Sequence, residues 1–454
     1  MNNITNMTQN IIKTLNKDVV TIAKQTQFSQ RKSKLMPKNF VSTMVCGFLI
    51  NNNASLEDLC QLLRDKRVNI TKQGLHYKFG KNCNVFMEQV FKLFVKNFKE
   101  QNNALIGLTK CFTNIKILDS TIIALPKNLK EKYPSYGGSA SEAALKIQVL
   151  FNSINENIEL LDITSANNND QGYEGHLDHI ETGALYLQDL GYFVIETFKI
   201  LQENNAYYIS RMIHKDIKIY DPTNKKELHL TEILDFNKEI ITRELLLSKN
   251  HMLKTRFVAI KLPENIVKER IRKAAATAKK QGRTLSEEKK ALLKWSMYIT
   301  NISEDTLKAE YIYTIYTFRW QIELLFKLGK SSAGIEKNSG KKESTIITEL
   351  YAKLLGIIVL LYLVVPSKIS MVSENSLIKA YNKLKNAGNI FYGSLDSEYK
   401  LKKFIIYLTE IFISYAGKDK YRKTKISSRE KIYSLFNEVS SSITVNAEAA
   451  QYVA

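Results

Sequence analysis

Cysteine is scarce in this chain and never occurs in close pairs. The four cysteines, Cys46, Cys60, Cys83 and Cys111, are widely spaced and form no CxxC motif. This spacing argues against a zinc knuckle and against a disulfide scaffold, because both need a regular framework of cysteines. We therefore expect reduced thiols, as in a cytoplasmic protein.

The sequence also lacks a signal peptide and a long membrane-spanning run. Its start, "MNNITNMTQNIIKTLNKDVV", has no basic stretch followed by an apolar core. The most apolar run, "LLGIIVLLYLVV" from Leu354 to Val365, is too short to cross a bilayer comfortably and precedes Pro366. We interpret it as a buried core helix. We expect no membrane association and a cytoplasmic, nucleoid-associated location of the bacterial type.

Acidic residues are too few to balance the basic ones. Lys and Arg total 66 against 45 Asp and Glu, which gives a net charge of +21. This excess favours a polyanionic partner, either nucleic acid or an acidic membrane surface. A competing explanation is a composition rich in Lys, Asn and Ile, as AT-rich coding sequence produces. Charge alone therefore favours nucleic acid without establishing it.

The first hundred residues are predicted to be helical. The segment "SLEDLCQLLRDK" has Ser55 as an N-cap and leucines at helical spacing. A basic segment, "TKQGLHYKFGKN", follows after a short break. A helix, a turn and a basic helix are the outline of a helix-turn-helix DNA reader, although many helical hairpins share it.

The periodicity changes to strands near residue 113. "NIKILDSTII", "AALKIQVLFN" and "IELLDIT" predict an antiparallel meander, and "ALYLQ", "VIETFKILQEN" and "AYYISRMI" predict alternating strand and helix. Four further strands, "KIYD", "LHLTEIL", "RFVAIKL" and "KWSMYITNI", and a charged helix, "ENIVKERIRKAAATAKKQG", form a stretch too long for a loop, so we expect an inserted subdomain. The expected division is a helical DNA-binding region (1–100), a mixed α/β core in two parts (101–215 and 301–370), a β-rich insertion (216–300) and a helical C-terminal region (371–454).

The segment "YTFRWQIELLFKLGK" combines a buried-looking helix with charged residues. At about 100° per residue, Tyr316, Arg319, Glu323 and Lys330 fall on one narrow stripe of the helix. This polar face is predicted to look into a site. The alternative is a solvated face carrying an Arg319–Glu323 ion pair.

Carboxylates at strand ends would give that glutamate partners. Asp119 ends the apolar "IKIL", and Asp189 follows "ALYLQ". Asp162 in "LLDIT" competes with Asp189, and Asp170 and Asp178 lie in the loop that follows it. Buried carboxylates that lie together repel one another unless a cation binds between them, and oxygen ligands suit Mg²⁺ or Mn²⁺.

The segment "EGHLDHIE" also resembles a metal site, with Glu174, His176, Asp178 and His179. Its two histidines are three apart in a polar stretch that signals no third ligand. We interpret it as a surface loop.

Taken together, these motifs resemble the DDE insertion-sequence transposases of the IS-four type, the Tn-five-like group. Tyr316, Arg319, Glu323 and Lys330 match that family's tyrosine–arginine–glutamate–lysine signature. "LDST" and "DLGYF" match its first and second aspartate boxes, and "YYISR" its following strand. "FVAIKLPE" and "GRTLSEEKKALLKWSMYITNI" resemble its inserted β subdomain. The resemblance covers roughly residues 113 to 365 in the correct order.

The resemblance implies a ribonuclease-H-like α/β core with a β-rich insertion and helical terminal regions. Asp119, Asp189 and Glu323 would be the catalytic carboxylates that hold two Mg²⁺ (or Mn²⁺) ions. Water would free a 3′-hydroxyl at the element's end, a hairpin would form and reopen, and the 3′-hydroxyl would join target DNA. The partners would be double-stranded DNA, namely the terminal inverted repeats and the target, and a second copy of the chain in a homodimer.

The same resemblance implies DNA contacts. Tyr316, Arg319 and Lys330 would hold the phosphate backbone, and Trp295 would stack on a flipped base. Trp295 also fits ordinary burial, because it alternates with other apolar residues along a strand. Arg211 would either contact DNA or brace the carboxylates. Two other functions stay open: a DNA-binding protein without catalysis, such as a decayed or regulatory copy, and a structure-specific nuclease.

Overall fold

The N-terminal region is helical, as predicted. The computed structural model describes residues 2–31, 33–99, 111–136, 141–212, 217–338, 340–370 and 376–417. The N-terminal helices are α1 (Asn2–Lys13), α2 (Val19–Gln25), α3 (Pro37–Ile50), α4 (Leu56–Asp65), α5 (Lys72–His76) and α6 (Lys81–Lys99), and a π-helical turn joins α1 to α2.

Helix α4 begins as the sequence predicts. The Ser55 hydroxyl accepts a hydrogen bond from the backbone of Asp58, whose carboxylate accepts one from the backbone of Ser55. The predicted basic helix is shorter than its sequence segment, because α5 has only five residues. The Lys72–Glu57 ion pair (2.8 Å) connects α5 to α4. A DNA-reading role for this pair stays a prediction.

The strands join a single mixed sheet of ten described strands. Its order is β3-β2-β1-β4-β5-β10-β9-β8-β6-β7. Pairing of β1 with β2 and of β2 with β3 is antiparallel, which confirms the meander, whereas β1, β4 and β5 run parallel. The bounds are β1 (Ile115–Leu125), β2 (Ala143–Asn152), β3 (Asn157–Ser165), β4 (Leu185–Gln188), β5 (Tyr207–Arg211), β6 (Ile219–Tyr220), β7 (Glu227–Leu228), β8 (Ile240–Leu247), β9 (Leu253–Lys261) and β10 (Trp295–Thr300), with helix α7 (Ile195–Glu203) between β4 and β5.

The strands of the predicted insertion continue this sheet, because β10 pairs with β5. The prediction of a strand over "LHLTEIL" is wrong. After the two-residue β7, His229 caps the short helix α8 (Leu230–Ile233), and the buried Ile233 anchors it. Strand β8 was not predicted. The charged helix is confirmed as α9 (Glu264–Lys280), and α10 (Glu287–Leu292) follows it.

The remaining helices are α11 (Ala309–Tyr316), α12 (Trp320–Lys327), α13 (Glu343–Ser370), α14 (Leu377–Asn386), α15 (Gly388–Ser394) and α16 (Glu398–Tyr415). Among the described helices, α13 alone is long and apolar enough to cross a membrane, but 94% of its most apolar stretch is buried inside the protein. This burial confirms a core helix. The helix includes Pro366 and continues to Ser370.

The helices and the sheet share their hydrophobic cores. One cluster joins α1–α6, α13–α16 and one face of the sheet, and a second cluster fills the other face around Phe198, Tyr208 and Trp295. Three of the four predicted boundaries, after residues 100, 215 and 370, lie within or beside segments outside the described residues. Residues 418–454 of the predicted C-terminal region also lie outside them. The four cysteines are free thiols.

Candidate active site

Three carboxylates from distant parts of the chain meet around the guanidinium group of Arg319. Its Nη1 lies 2.8 Å from Asp119 Oδ2, and its Nη2 lies 2.9 Å from Glu323 Oε1. Its Nε lies 3.8 Å from Asp189 Oδ1, within ion-pair distance. The three acids that the sequence analysis singled out therefore contact one shared cation.

The sheet register brings the two aspartates together. Asp119 lies within β1, and the parallel pairing of Leu118 with Gln188 places Asp189 beside it, immediately after β4. Asp119 Oδ1 accepts a hydrogen bond from the backbone of Ser120 (2.8 Å), which orients the carboxylate. Asp189, the residue after the short β4, therefore lies beside the middle of β1.

The helical segment that supplies Arg319 and Glu323 is not a uniform α-helix. A 3₁₀ turn (Thr317–Arg319) separates α11 from α12, and a π-helical turn (Leu328–Ala333) follows α12. Arg319 and Glu323 still lie one turn apart at the same face. Changes in winding of this kind are frequent at functional positions.

The predicted stripe faces the ends of β1 and β4. The Tyr316 hydroxyl donates to the carbonyl of Gln188 (3.3 Å), the residue before Asp189. Lys330 Nζ donates to the carbonyl of Ile122 on β1 (3.0 Å) and pairs with Glu336 (2.8 Å). Tyr316 is buried. The stripe therefore covers the carboxylate cluster, and contact of Tyr316 or Lys330 with DNA stays a prediction.

Burial and neighbouring charges set the ionisation of the cluster. Burial raises the pKa of Asp119 to about 6, against the opposing effects of the Ser120 amide and of Arg319. Burial opposes the charge of Arg319, but attraction to Asp189 and the other acids leaves its pKa above the ordinary value. The cluster therefore favours a cation strongly and holds Asp119 less readily as an anion.

The donor set fits a hard divalent cation. All available ligand atoms are carboxylate oxygens, which Mg²⁺ and Mn²⁺ prefer. Among the described residues, no three Asp, Glu, His or Cys side chains already surround one point as a metal site would. The guanidinium instead contacts all three acids, and its buried Nε has no hydrogen-bond partner. Asp189 is therefore the most loosely held of the three.

The competing carboxylates, Asp162 and Asp170, have other partners. Asp162 accepts a hydrogen bond from the Tyr173 hydroxyl (2.5 Å). Asp170 accepts from Ser120, Lys146 and Gln148 and pairs with Lys146. Neither contacts the shared guanidinium, so Asp189 is the aspartate that joins Asp119.

The interpretation of "EGHLDHIE" as a surface loop is wrong for His176. Its side chain is 2% exposed and packs on the Tyr173 ring, with ring centroids 5.8 Å apart. Burial lowers its pKa to about 4. A neutral buried histidine fits a structural role.

The structure shows the surroundings of two predicted DNA contacts, Trp295 and Arg211. Trp295 is 1% exposed, and its ring packs 6.1 Å from that of Phe236, so it is a core residue in this structure. Arg211 makes no ion pair with the carboxylates among the described residues, and its role, either DNA contact or bracing of the carboxylates, stays a prediction. A further cation, Arg270, donates to the Trp295 carbonyl (3.2 Å). No motif signalled Arg270, which lies within the charged helix α9.

Comparisons with known proteins identify the family. Residues 110–359 match the family model described as "Transposase DDE domain". The transposase for insertion sequence element IS231B of Bacillus thuringiensis subsp. berliner is 30% identical over 359 residues, covering 74% of this chain and 75% of that protein. The transposase for IS1151 of Clostridium perfringens is 26% identical over 428 residues, covering 87% and 88%.

A solved structure, the piggyBac transposase synaptic complex with hairpin DNA, aligns with 95% of this chain and 85% of that one. The identity is 9% and the TM-score is 0.45, a similarity too low to establish a shared fold. The family match and the relatives decide the assignment, because the matched region contains both aspartates, Glu323 and Arg319. The chain therefore belongs to the family of DDE insertion-sequence transposases.

Proposed function

We propose that this chain cuts the ends of its own insertion sequence and joins the freed 3′-hydroxyl ends to target DNA. The meeting of Asp119, Asp189 and Glu323 around one guanidinium supports this function most directly. The position of the cluster at adjacent parallel strands of a mixed sheet fits a ribonuclease-H-like core. The net charge of +21 fits a DNA partner.

Asp119, Asp189 and Glu323 are the residues that would hold two Mg²⁺ or Mn²⁺ ions. Such ions, when bound, activate an attacking oxygen and stabilise a leaving 3′ oxygen. Asp119 must be ionised to act as a ligand, and its pKa of about 6 allows this at neutral pH. Until such ions bind, Arg319 neutralises part of the charge of the three acids and orients them. Afterwards its planar fork is suited to a DNA phosphate.

We also propose that cleavage passes through a hairpin intermediate, which depends on Trp295. A base can stack on its indole only if the packing around the ring opens, because the ring is buried and lies against Phe236. Homodimer formation on DNA is likewise proposed from the family alone. Tyr316 and Lys330 would contact the backbone after exchanging their present partners.

A cleavage assay tests the function directly. The substrate is a duplex that carries the sequence flanking this gene, incubated with and without Mg²⁺. Asp119→Ala, Asp189→Ala and Glu323→Ala should each abolish nicking and leave binding of the duplex measurable. The matched control is Asp162→Asn, which changes the competing carboxylate and should still cleave.

The outcomes separate the functions that the sequence leaves open. Nicking followed by joining to a second DNA supports a transposase. Binding without cleavage in any divalent ion would identify a non-catalytic DNA-binding protein. Cleavage without joining would identify a nuclease. Loss of nicking in Asp162→Asn, with normal nicking in Asp189→Ala, would overturn the assignment of the second aspartate.

A further inference from the structure

Arg211 lies on the same face of the sheet as the carboxylate cluster. It ends β5 and is the cross-strand partner of Tyr298 on β10, so their side chains leave the same face. The Tyr298 ring packs 5.2 Å from that of Tyr316, whose hydroxyl reaches the carbonyl beside Asp189. A short chain of contacts therefore connects Arg211 to the proposed active site.

Arg270 reaches the same region from a different part of the chain. Helix α9 has no fully buried residue, yet Arg270 is half-buried and its Nη1 donates to the carbonyl of Trp295. Trp295 begins β10, three residues before Tyr298. The guanidinium of Arg270 thus lies against the strand that pairs with Arg211.

Among the described residues, these two cations have no anionic partner. Within the described part of the chain, neither Arg211 nor Arg270 lies within ion-pair distance of a carboxylate, whereas Arg272 on the same helix pairs with Glu269 (2.8 Å). Burial, followed by the charge of Arg211, lowers the pKa of Arg270, so the two groups repel each other. An anion placed between them would remove this repulsion and satisfy N–H donors that the protein leaves available.

We propose that Arg211 and Arg270 together bind one phosphate group, and that in the working protein this is a phosphodiester of the DNA backbone beside the cleaved end. The inference rests on the proposed function. A guanidinium presents two parallel N–H donors to a phosphate, and two guanidinium groups match its double set of oxygens. The pair lies next to the carboxylates without contacting them, which is where a strand entering the site would pass.

The test measures DNA affinity of the full chain without any divalent ion. Fluorescence anisotropy in EDTA follows binding to the flanking-sequence duplex over a series of salt concentrations. Arg270→Ala and Arg211→Ala should each weaken binding by roughly tenfold and reduce the slope of log affinity against log salt by about one. Because both groups hold one phosphate, the double variant should lose clearly less than the product of the two single losses.

Two further variants control for charge and folding. Arg272→Ala removes an equal charge from the same helix at an exposed, paired position and should leave the slope unchanged. Arg270→Lys keeps the charge and should retain most of the slope. Melting curves in EDTA verify folding, and we expect Arg270→Ala to melt within a few degrees of the wild type, because its loss also relieves repulsion.

The outcomes distinguish this site from the function as a whole. If the wild-type chain fails to bind the duplex, the transposase proposal fails. If it binds and Arg270→Ala behaves like Arg272→Ala, only the phosphate site is overturned. Inorganic phosphate serves as a second probe. If it raises the melting temperature through Arg270 while DNA affinity is independent of Arg270, the site binds free phosphate and the DNA assignment is wrong.

Discussion

Replacing Asp119 by asparagine should stabilise the metal-free protein at neutral pH. Burial raises the pKa of Asp119 from 3.8 to about 6. One pKa unit corresponds to about 1.36 kcal/mol, so ionising this carboxylate costs the folded state about 3 kcal/mol relative to the unfolded chain. The side chain is only 18% exposed, so solvent screening reduces this figure little. The uncharged amide would avoid the cost, and its oxygen would still accept a hydrogen bond from Arg319. Its NH2 group cannot accept from the Ser120 amide as the carboxylate does, so about 3 kcal/mol is an upper limit.

The pH dependence follows from the sign of the shift. The folded state has the higher pKa, so the protonated acid contributes its full stability below about pH 4, and this contribution is lost as the pH rises through about 6. The stabilisation by Asp119→Asn should therefore approach 3 kcal/mol above pH 7, fall to about half at pH 5 and vanish below pH 4.

Urea unfolding in EDTA at pH 7.5 and at pH 5 measures both values. Asp178→Asn makes the same substitution at an exposed carboxylate in the loop after β3 and serves as the control. A variant that is equally or less stable than the wild type at pH 7.5 would refute the reasoning. In that case Asp119 would be held as a favourable anion, and the cluster would be a structural ion pair.

Three further substitutions test other parts of the structure. Arg319→Ala leaves three carboxylates facing one another, so the free energy of unfolding in EDTA should fall by about 1–3 kcal/mol, less than for a fully buried pair, and Mg²⁺ should restore part of it in calorimetry. Trp295→Ala should cost about 3–5 kcal/mol in urea unfolding, and unchanged stability with selective loss of hairpin product would show that the indole serves DNA. Gly334→Ala should cost about 1–3 kcal/mol by thermal melting, because φ is +66° and the new Cβ would lie 2.8 Å from Asn52 Nδ2.

Helical spacing and strand patterns were sufficient to predict much of the fold. The meander, helix α9 and the shared face of Arg319 and Glu323 all depend on local periodicity, and the structure has each of them. The continuation of helix α13 through Pro366 was not predictable in this way. Packing of α13 against several helices in the core outweighs the hydrogen bond that proline removes.

The choice between Asp162 and Asp189 needed the strand order. Both residues belong to apolar strand motifs, so their local patterns are equivalent. In the sheet, β4 is the direct neighbour of β1, whereas β2 separates β3 from β1. Two strand spacings place Asp162 roughly 10 Å from strand β1, which carries Asp119. The local patterns favoured Asp189 only slightly, and the family resemblance decided for it beforehand, because strand order is a long-range property.

Arg270 and the joining of β10 to β5 were also beyond the reach of local patterns. Within "ENIVKERIRKAAATAKKQG" one basic residue looks like the next. Arg270 differs from Arg272 only because the helix packs one side toward β10. The pairing of Tyr298 with Arg211 joins residues 87 positions apart. The proposed phosphate site therefore depends on tertiary contacts that periodicity does not encode.

The formal charge of the cluster predicts how many ions the free protein binds. Three ionised carboxylates and one guanidinium sum to −2, which one divalent cation neutralises. A second ion would leave a charge of +2, which two phosphates of bound DNA would offset. We therefore expect calorimetric titration with Mn²⁺ to give one ion per chain without DNA and two with the flanking duplex. Two tightly bound ions in the free protein would contradict this balance and would mean that Arg319 leaves the cluster before DNA arrives.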